Sequence, residues 1–338
     1  MRAISYPLLF APVYKDYIWG GHRLAERFGR AETPVVCAES WEISAHVDGM
    51  SHVSNGPLAG QSLAALAAQF GAALTGTHAP QPNRFPLLLK LIDARENLSV
   101  QVHPGDDNAG LVGGDPKTEA WYVLDRTPGA LFYAGLKPGT TPASFRTAMS
   151  QGTAPEQLFK LDVAPGDTLF IPGGLVHAIG AGCLIFEVQQ TSNTTYRLYD
   201  WGRFDAAGQP RPLHVQQAFQ VIDPDLEEPR LIHPPTLAAD NRNYWHTVLG
   251  CKYFNLRRLD LRSAEQVLLD GTSFHALFVL NGEAAVSAGG GAVPLPAGTS
   301  CLIPAAAGSF NLRPTGASAT VLVTTLSSDH TRRPAISL

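Results

Sequence analysis

One segment of the chain combines an apolar strand, a tight turn and a histidine: GDTLFIPGGLVH, residues 166–177. The run from Thr168 to Ile171 suits a buried strand, and Pro172 with the two glycines after it predicts a turn. The strand that returns from this turn would point His177 inward, because side chains alternate between the two faces of a strand. The segment therefore predicts a β-rich fold with a histidine at the mouth of a barrel.

A second copy of this pattern occurs near the C-terminus. The run GTSCLIP at residues 298–304 repeats GDTLFIP at residues 166–172, and both consist of a glycine, an apolar strand and a proline in β-rich surroundings. Such repetition predicts two related barrels. In the second copy Ser309 stands where the first has His177, so we expect the second barrel to bind no metal.

The predicted fold class is mainly β, with two barrels and a small helical insertion. We assign the catalytic barrel to residues 1–225, with helical segments at about 58–80 and 141–160, and the second barrel to residues 244–338. Residues 226–243 are predicted to be a linker, because the chain there is rich in proline and acidic residues and has weak periodicity.

Local patterns predict individual elements. Ser62 and Thr141 are typical helix caps, the latter followed by proline, and helices are expected over 62–70 and 214–222. Residues 39–54 alternate as a strand does. Residues 85–103 and 119–134 each predict two strands joined by a turn.

Composition excludes several classes of protein. The 338 residues carry a net charge of −4 without a basic run, so we expect no nucleic-acid partner. No apolar stretch reaches membrane-spanning length, and the N-terminus lacks the apolar core of a signal peptide. These features predict a cytoplasmic protein without a membrane partner, and they leave the oligomeric state open.

The four cysteines form no CxxC pair and are expected to be reduced core residues.

Three segments carry residues that bind metals. In the run QVHP at 101–104, Gln101 and His103 share one face of a strand. In the run KTEAWY at 117–122, Lys117 and Glu119 do the same, and His177 follows the Pro-Gly-Gly turn. Polar side chains on the inner face of an apolar strand are costly unless a partner satisfies them, and a metal ion is such a partner.

The types of ligand in these segments limit which metal ions can bind. Imidazole and carboxylate ligands suit zinc, iron or manganese. His103, Glu119 and His177 would supply the usual three protein ligands of a catalytic site. Gln101 is either a fourth ligand or an outer hydrogen-bond partner, because an amide oxygen is a poor donor.

Five segments resemble the type I mannose-6-phosphate isomerases, most closely their short bacterial form. They follow one another in order, and the last is the most diagnostic: WGG at 19–21, ESWEIS at 39–44, QVHP at 101–104, KTEAWY at 117–122 and TYRLYDWGR at 195–203. The segment 166–177 also resembles the second cupin motif, with Ala181 in place of its later asparagine. Pro116 stands where the isomerases often have glycine.

The resemblance implies two cupin-type jelly-roll β-barrels and a site bound to one zinc ion per chain. It implies that His103, Glu119 and His177 bind zinc, joined in many members by the residue at Gln101. Arg197 matches the active-site arginine. The residues that match those lining the substrate pocket are Lys90, Ser99 and Lys117, and we expect these three to hold the phosphate of the substrate.

The implied reaction interconverts mannose 6-phosphate and fructose 6-phosphate, so a small sugar phosphate is the expected partner. The base that moves the proton stays open between Lys117, a water on the metal, Glu42 and Asp200. Three other functions are weighed against this one. They are an isomerase of a different or unphosphorylated sugar, a cupin dioxygenase, which would typically show His-x-His where Gln101 and His103 stand, and a non-catalytic sugar-binding regulator.

Overall fold

The computed structural model describes residues 4–30, 32–205, 207–235 and 240–328. Strands make up 41% and helices 16%, which confirms the predicted mainly β class. The described α-helices are α1 Arg23–Phe28, α2 Leu63–Phe70, α3 Ala72–Thr75, α4 Ala109–Val112, α5 Pro142–Ser150 and α6 Val215–Val221. Short 3₁₀ turns occupy Val47–Gly49, Gly56–Leu58, Ala154–Gln157 and Ala305–Ala307.

The described strands divide into three sheets, and none of these sheets closes on itself. They are β1 Leu8–Leu9, β2 Val13–Lys15, β3 Glu39–Ile43, β4 Leu87–Asp93, β5 Val100–Val102, β6 Glu119–Arg126, β7 Leu131–Leu136, β8 Leu158–Asp162, β9 Thr168–Ile171, β10 His177–Ile179, β11 Cys183–Gln190, β12 Tyr196–Tyr199, β13 Tyr244–Gly250, β14 Phe254–Leu261, β15 Glu265–Leu268, β16 His275–Ala288, β17 Gly291–Pro296, β18 Ser300–Ile303 and β19 Ser309–Leu326. Open sheets that face each other are the arrangement of a jelly roll.

The chain forms two compact units, and each is assembled from more than one stretch. Unit 1 comprises Met1–Val13, Trp41–Leu89 and Pro234–Leu338, and unit 2 comprises Tyr14–Ser40 and Lys90–His233. The sequence-based division, which treats 1–225 and 244–338 as continuous domains around a linker at 226–243, stays a prediction.

Unit 1 contains an eight-stranded sheet in the order β1-β18-β16-β19-β14-β13, with β15 on β19 and β17 on β16. The register of β16 on β19 shifts twice, between Val279 and Asn281 and between Gly282 and Ala284, and such bulges bend a strand. The bent sheet encloses an apolar core that includes Leu277, Val321 and Phe310.

Unit 2 contains a five-stranded sheet in the order β12-β5-β10-β7-β8. It also holds most of a six-stranded sheet in the order β2-β3-β4-β11-β6-β9, in which β2, β3 and β4 contribute residues 14–15, 39–40 and 90–93. One buried cluster joins Trp121 and Ile171 of the larger sheet to Phe132 and Ile179 of the smaller one. The two sheets therefore pack face to face around a shared core.

Capping residues explain the helices that the sequence predicted. The Ser62 side chain accepts a hydrogen bond from the backbone of Ala65, and α2 ends at Gly71. Thr141 forms a reciprocal capping box with Ser144 at the start of α5. Helix α6 also lies within the predicted stretch. The predicted helices are thus confirmed, whereas α1 was not anticipated.

One prediction about strands needs correction. The strand expected over 39–54 ends at Ile43, because the backbone amides that follow donate hydrogen bonds to side chains and not to a neighbouring strand. The Ser51 hydroxyl accepts from the Ser44 amide, and His46 accepts from the Asp48 amide. The two strands predicted in each of the segments 85–103 and 119–134 are confirmed, and in both segments the turn joins strands of different sheets.

One turn brings the candidate site residues together. The Gly174 amide donates to the carbonyl of His103 at 2.8 Å, and the Lys117 amide donates to the carbonyl of Pro104 at 2.9 Å. Gly174 has φ +89°, and a Cβ on Gly173 would lie 2.5 Å from Cα of Gly105. Only glycines allow the backbones to approach this closely.

We predict that Gly173→Ala lowers the free energy of unfolding by about 1–3 kcal/mol, because the added methyl must push two backbones apart. Urea denaturation measures the change. Gly105→Ala is the matched control, since a Cβ at Gly105 meets no heavy atom within 4 Å. Equal stability of the two variants would contradict this account of the turn.

Candidate metal centre and active-site pocket

Three adjacent strands of the smaller sheet in unit 2 place polar side chains in one row. Arg197 of β12 pairs with Gln101 of β5, and Gln101 pairs with His177 of β10. Residues directly opposite each other in antiparallel strands project from the same face. The sheet therefore presents an arginine, an amide and an imidazole side by side.

A compact cluster of donor atoms surrounds the end of this row. His103, Glu119 and His177 each offer one ligand atom, and these atoms all lie within 4.8 Å of one another. Nε2 of His103 is 3.5 Å from Oε2 of Glu119, and Nε2 of His177 is 3.6 Å from Oε1. All three side chains are no more than 1% exposed. The sequence-predicted trio is thus brought together.

Burial favours the neutral form of both imidazoles in the cluster. Burial, aided by the charge of Lys117, lowers the pKa of His103 well below its ordinary value. Burial also lowers the pKa of His177 to about 4, although its hydrogen bond to the Leu175 carbonyl opposes the shift. Because Nδ1 of His177 donates to that carbonyl at 2.8 Å, Nε2 keeps its lone pair. A neutral imidazole with a free lone pair is the form that binds metals.

The hydrogen bonding of the cluster fits a cation. Nε2 of His103 is buried and has no hydrogen-bond partner among the residues that the structure describes, and an unsatisfied buried polar group costs about 1–3 kcal/mol. A divalent ion between the three side chains would use this lone pair and those of the carboxylate. Gln101 faces the cluster with its amide nitrogen, 3.4 Å from Nε2 of His177, while its oxygen accepts from the Ser99 hydroxyl. The side-chain amide of Gln101 would have to flip before its oxygen could bind the metal.

A second set of charges lies next to the cluster. Nζ of Lys90 is 3.1 Å from Glu187 and 3.5 Å from Glu39. Burial alone would lower the Lys90 pKa, but the charges of Glu187, Glu39 and Glu119 outweigh it and hold this pKa above its ordinary value. Lys90 is therefore an ammonium group enclosed by carboxylates.

One indole connects the two sets. Nε1 of Trp121 donates to Oε1 of Glu119 and to Oε2 of Glu187, at 3.0 Å in each case. Lys117 contacts the same cluster from another side, with Nζ 3.0 Å from Oε2 of Glu119. The orientation of the Glu119 carboxylate is thus set by the indole N–H on Oε1 and by the ion pair with Lys117 on Oε2.

Glu119 and the charged residues around it line a pocket of about 260 Å³, whereas His103 and His177 are not among its described lining residues. The sequence-predicted residues that line it are Lys90, Ser99, Gln101, Lys117, Glu119 and Arg197. Residues that the sequence did not single out as site residues also line it: Tyr17, Trp19, Glu39, Trp121, Glu187 and Arg211. Glu187 is a charged residue in an otherwise apolar part of its strand, and sequence reasoning could have used this signal. Arg211 carries no such signal, since it lies in an irregular segment.

Arg197 and Arg211 line another part of the pocket, and Arg211 pairs with Asp200, which also accepts from Arg203. Asp200 accepts from Nη2 of Arg203 at 2.6 Å, and from Nε and Nη2 of Arg211 at 2.7 and 2.5 Å. These bonds outweigh burial and lower the Asp200 pKa below its ordinary value. Nη1 of Arg197 donates to the Pro212 carbonyl at 2.7 Å, and within the described part of the chain its Nε is buried without a hydrogen-bond partner.

Two of the candidate bases are placed poorly for proton transfer. Asp200 is a weak base, because two arginines stabilise its ionised form. Glu42 belongs to unit 1, where it accepts a hydrogen bond from the Ser300 hydroxyl at 2.9 Å. Neither residue lines the described pocket. Lys117 does line it, and it contacts the metal-binding cluster.

Comparison with known proteins begins with two family models. The model "Phosphomannose isomerase type I, catalytic domain" matches residues 8–129, and the model "Mannose-6-phosphate isomerase, cupin domain" matches residues 245–323. The second match confirms that the chain contains a cupin domain.

Whole-length relatives agree with the models. Mannose-6-phosphate isomerase ManA of Bacillus subtilis is 37% identical over 90% of this chain and 95% of its own length. Mannose-6-phosphate isomerase of Streptococcus mutans is 39% identical over 64% of this chain and 67% of its own. The crystal structure of mannose 6-phosphate isomerase from Bacillus subtilis superimposes with a TM-score of 0.83 at 31% identity, and covers 95% of this chain and 99% of that one. The chain belongs to the type I mannose-6-phosphate isomerase family.

We predict that His103→Ala weakens binding of Co²⁺, followed by its visible absorption spectrum. The loss should exceed the roughly 10–100-fold that removal of an outer hydrogen-bond partner costs, because one of three donor groups is gone. His275→Ala is the matched control, since His275 is a largely buried histidine outside the cluster, with a pKa that burial lowers to about 4. Equal Co²⁺ affinities of the two variants would contradict the assignment of the site.

Proposed function

We propose that this chain interconverts mannose 6-phosphate and fructose 6-phosphate in a metal-dependent reaction. The observation that carries the proposal is that Glu119 of the His–Glu–His cluster and Arg197 line one pocket. Aldose–ketose isomerisation needs a centre that polarises a carbonyl, and it needs positive charge near an oxygen that becomes negative. Family membership supports the same reaction, because the relatives are named for it.

We assign the metal to His103, Glu119 and His177, with Gln101 as a fourth ligand once its amide turns over. Two imidazoles and one carboxylate form a donor set that catalytic zinc uses, so zinc is the proposed ion, one per chain. When bound there, a divalent cation polarises the carbonyl oxygen of the open-chain sugar and stabilises negative charge on it.

The residues of the chain supply the other functions. Proton removal from C2 of the aldose moves the C–H electron pair into a C1–C2 double bond and leaves negative charge on O1. Return of a proton to C1, with transfer of the O2 proton to O1, gives the ketose. Arg197 stabilises the negative oxygen, because a guanidinium stays charged throughout. We assign proton transfer to Lys117, since it lines the pocket beside the cluster.

The inner wall of the pocket binds the sugar. Lys90 and Ser99 line it together with Lys117, and their N–H and O–H groups are donors for the hydroxyl oxygens of the substrate. All three lie near carboxylates or amides that hold them in place. Such fixed donors orient a flexible open-chain sugar for reaction.

The test is conversion of mannose 6-phosphate to fructose 6-phosphate by purified protein. We expect turnover to disappear on chelation and to return when zinc is added. Arg197→Ala should lower kcat by about 10²–10³-fold, the usual effect of removing one donor to a developing oxyanion. Arg146→Ala is the matched control, because Arg146 is exposed on α5 and should leave kcat unchanged.

Other results would point to the competing functions. Absence of turnover by metal-loaded protein would overturn the proposal. Equal kcat/KM for mannose and mannose 6-phosphate would indicate an isomerase of unphosphorylated sugars. Oxygen uptake with iron would indicate a dioxygenase, and sugar binding without turnover would indicate a regulator.

A further inference from the structure

Gln189 is a buried amide that the proposed reaction does not use. It lies on β11 directly opposite Glu119 of β6, so both side chains project from the same face, and Gln189 is 0% exposed. Its Oε1 is buried and has no hydrogen-bond partner within the described part of the chain. An unsatisfied buried polar group lowers stability, and such exceptions are expected where function requires the residue.

The amide nitrogen of Gln189 shapes the end of β11. Its Nε2 donates to the carbonyl of Gln190 at 2.8 Å and to the carbonyl of Ser192 at 2.7 Å. An amide nitrogen has two N–H donors, so each carbonyl can receive one of them. The path of residues 190–194, which lead from β11 toward β12, therefore depends on this side chain.

Gln190 binds the residue between Lys117 and Glu119. The Thr118 amide donates to Oε1 of Gln190 at 2.9 Å, and the Gln190 amide donates to the Thr118 carbonyl at 3.1 Å. The backbone of Thr118 is thus held through both its donor and its acceptor. A shift of Gln190 would move Thr118 with it.

Ser192 and Thr194 bind the other end of the same segment. The Ser192 hydroxyl donates to the Asp115 carbonyl at 3.1 Å and accepts from the Thr194 amide at 3.1 Å. The Asp115 amide donates to the Thr194 hydroxyl at 2.9 Å. Asp115 is therefore also held through both backbone groups.

Lys117 and Glu119 depend on these contacts. Lys117 lies between the two residues that are held, and Glu119 follows directly after Thr118. Nζ of Lys117 is 3.0 Å from Oε2 of Glu119, and both residues line the pocket. A change in the path of residues 190–194 would displace both side chains together.

We infer that Gln189 is a positioning residue for the reaction: its amide fixes residues 190–194, and these residues hold Lys117 and Glu119 at the pocket. An apolar side chain of the same size would fill the space without binding the two carbonyls. The kinetic part of this inference rests on the proposed function, because it takes Lys117 as the group that moves the proton. The part that concerns Glu119 can be measured as metal binding, without any substrate.

The experiment compares Gln189→Met with Thr324→Val in the full-length protein. Methionine has nearly the size of glutamine and no N–H donor. Thr324 of unit 1 is also 0% exposed, and among the described residues its hydroxyl has no partner, so the control likewise replaces a buried polar group by an apolar one. Gln189→Met should weaken binding of Co²⁺, followed by its visible absorption, by about tenfold, the lower end of the loss for an outer partner of a metal site. Thr324→Val should leave the affinity unchanged.

Kinetics with metal-loaded protein provide the second readout. Gln189→Met should lower kcat for mannose 6-phosphate by about 10–100-fold, as a small displacement of a catalytic group does. KM should change less than kcat, because the loss falls on the chemical step and not on binding. A role in stability alone would not produce this difference between kcat and KM.

A second variant covers the case in which Gln189→Met does not fold, which thermal unfolding detects. Ser192→Ala keeps Gln189 and removes the hydroxyl that binds Asp115 and Thr194. It should weaken Co²⁺ binding and lower kcat in the same direction, by smaller factors than Gln189→Met.

Two results would overturn the inference. One is Co²⁺ affinity and kcat at the level of the unsubstituted protein in folded Gln189→Met, or in Ser192→Ala where that variant replaces it. The other is an equal loss in Thr324→Val. Weaker Co²⁺ binding by Gln189→Met, in a protein that does not isomerise mannose 6-phosphate even unsubstituted, would support the positioning role and overturn the proposed function alone.

Discussion

The hydrogen bond from the Gly174 amide to the His103 carbonyl is the contact on which the candidate site depends. It joins the turn that precedes one imidazole to the segment that carries the other. The Gly173 amide adds a bond to the Thr118 hydroxyl, next to Glu119, at 3.3 Å. Three segments far apart in sequence are therefore fixed by backbone contacts before any side chain meets a ligand. Such contacts reduce the conformational freedom that binding must otherwise remove.

The charges of the pocket are tolerated because none stands alone. Removing an ion from water costs several kcal/mol even after relaxation, and five ionisable side chains lie buried beside the cluster: Glu39, Lys90, Lys117, Glu119 and Glu187. Alternation of sign offsets much of this cost. One negative charge remains in excess, which favours a divalent cation at the cluster. The need to bind a cation therefore accounts for an excess of negative charge that stability alone would not favour.

Local signals and order along the chain predicted much of the structure. Ser62 and Thr141 could be identified as caps because a cap depends on its neighbours in sequence. His103, Glu119 and His177 could be grouped because alternation on strands assigns each to an inner face. Arg211 and Glu39 could not be identified as site residues, since only tertiary packing brings them to the pocket. The same limit applies to β4 and β5, whose separation into different sheets is decided by core packing and not by the turn between them.

The shared indole of Trp121 has a consequence for efforts to redesign the enzyme. One N–H group serves both Glu119 and Glu187, and Glu187 in turn holds Lys90. A substitution of Glu39, Lys90 or Glu187 that is meant to accept another sugar will therefore alter the electron density and orientation of the Glu119 carboxylate, which is proposed to bind the metal. Sugar preference and metal affinity cannot be varied independently on this side of the pocket. Among the described residues, Arg197 and Arg211 have no such link through Trp121, so the part of the pocket that they line is the better starting point for directed evolution.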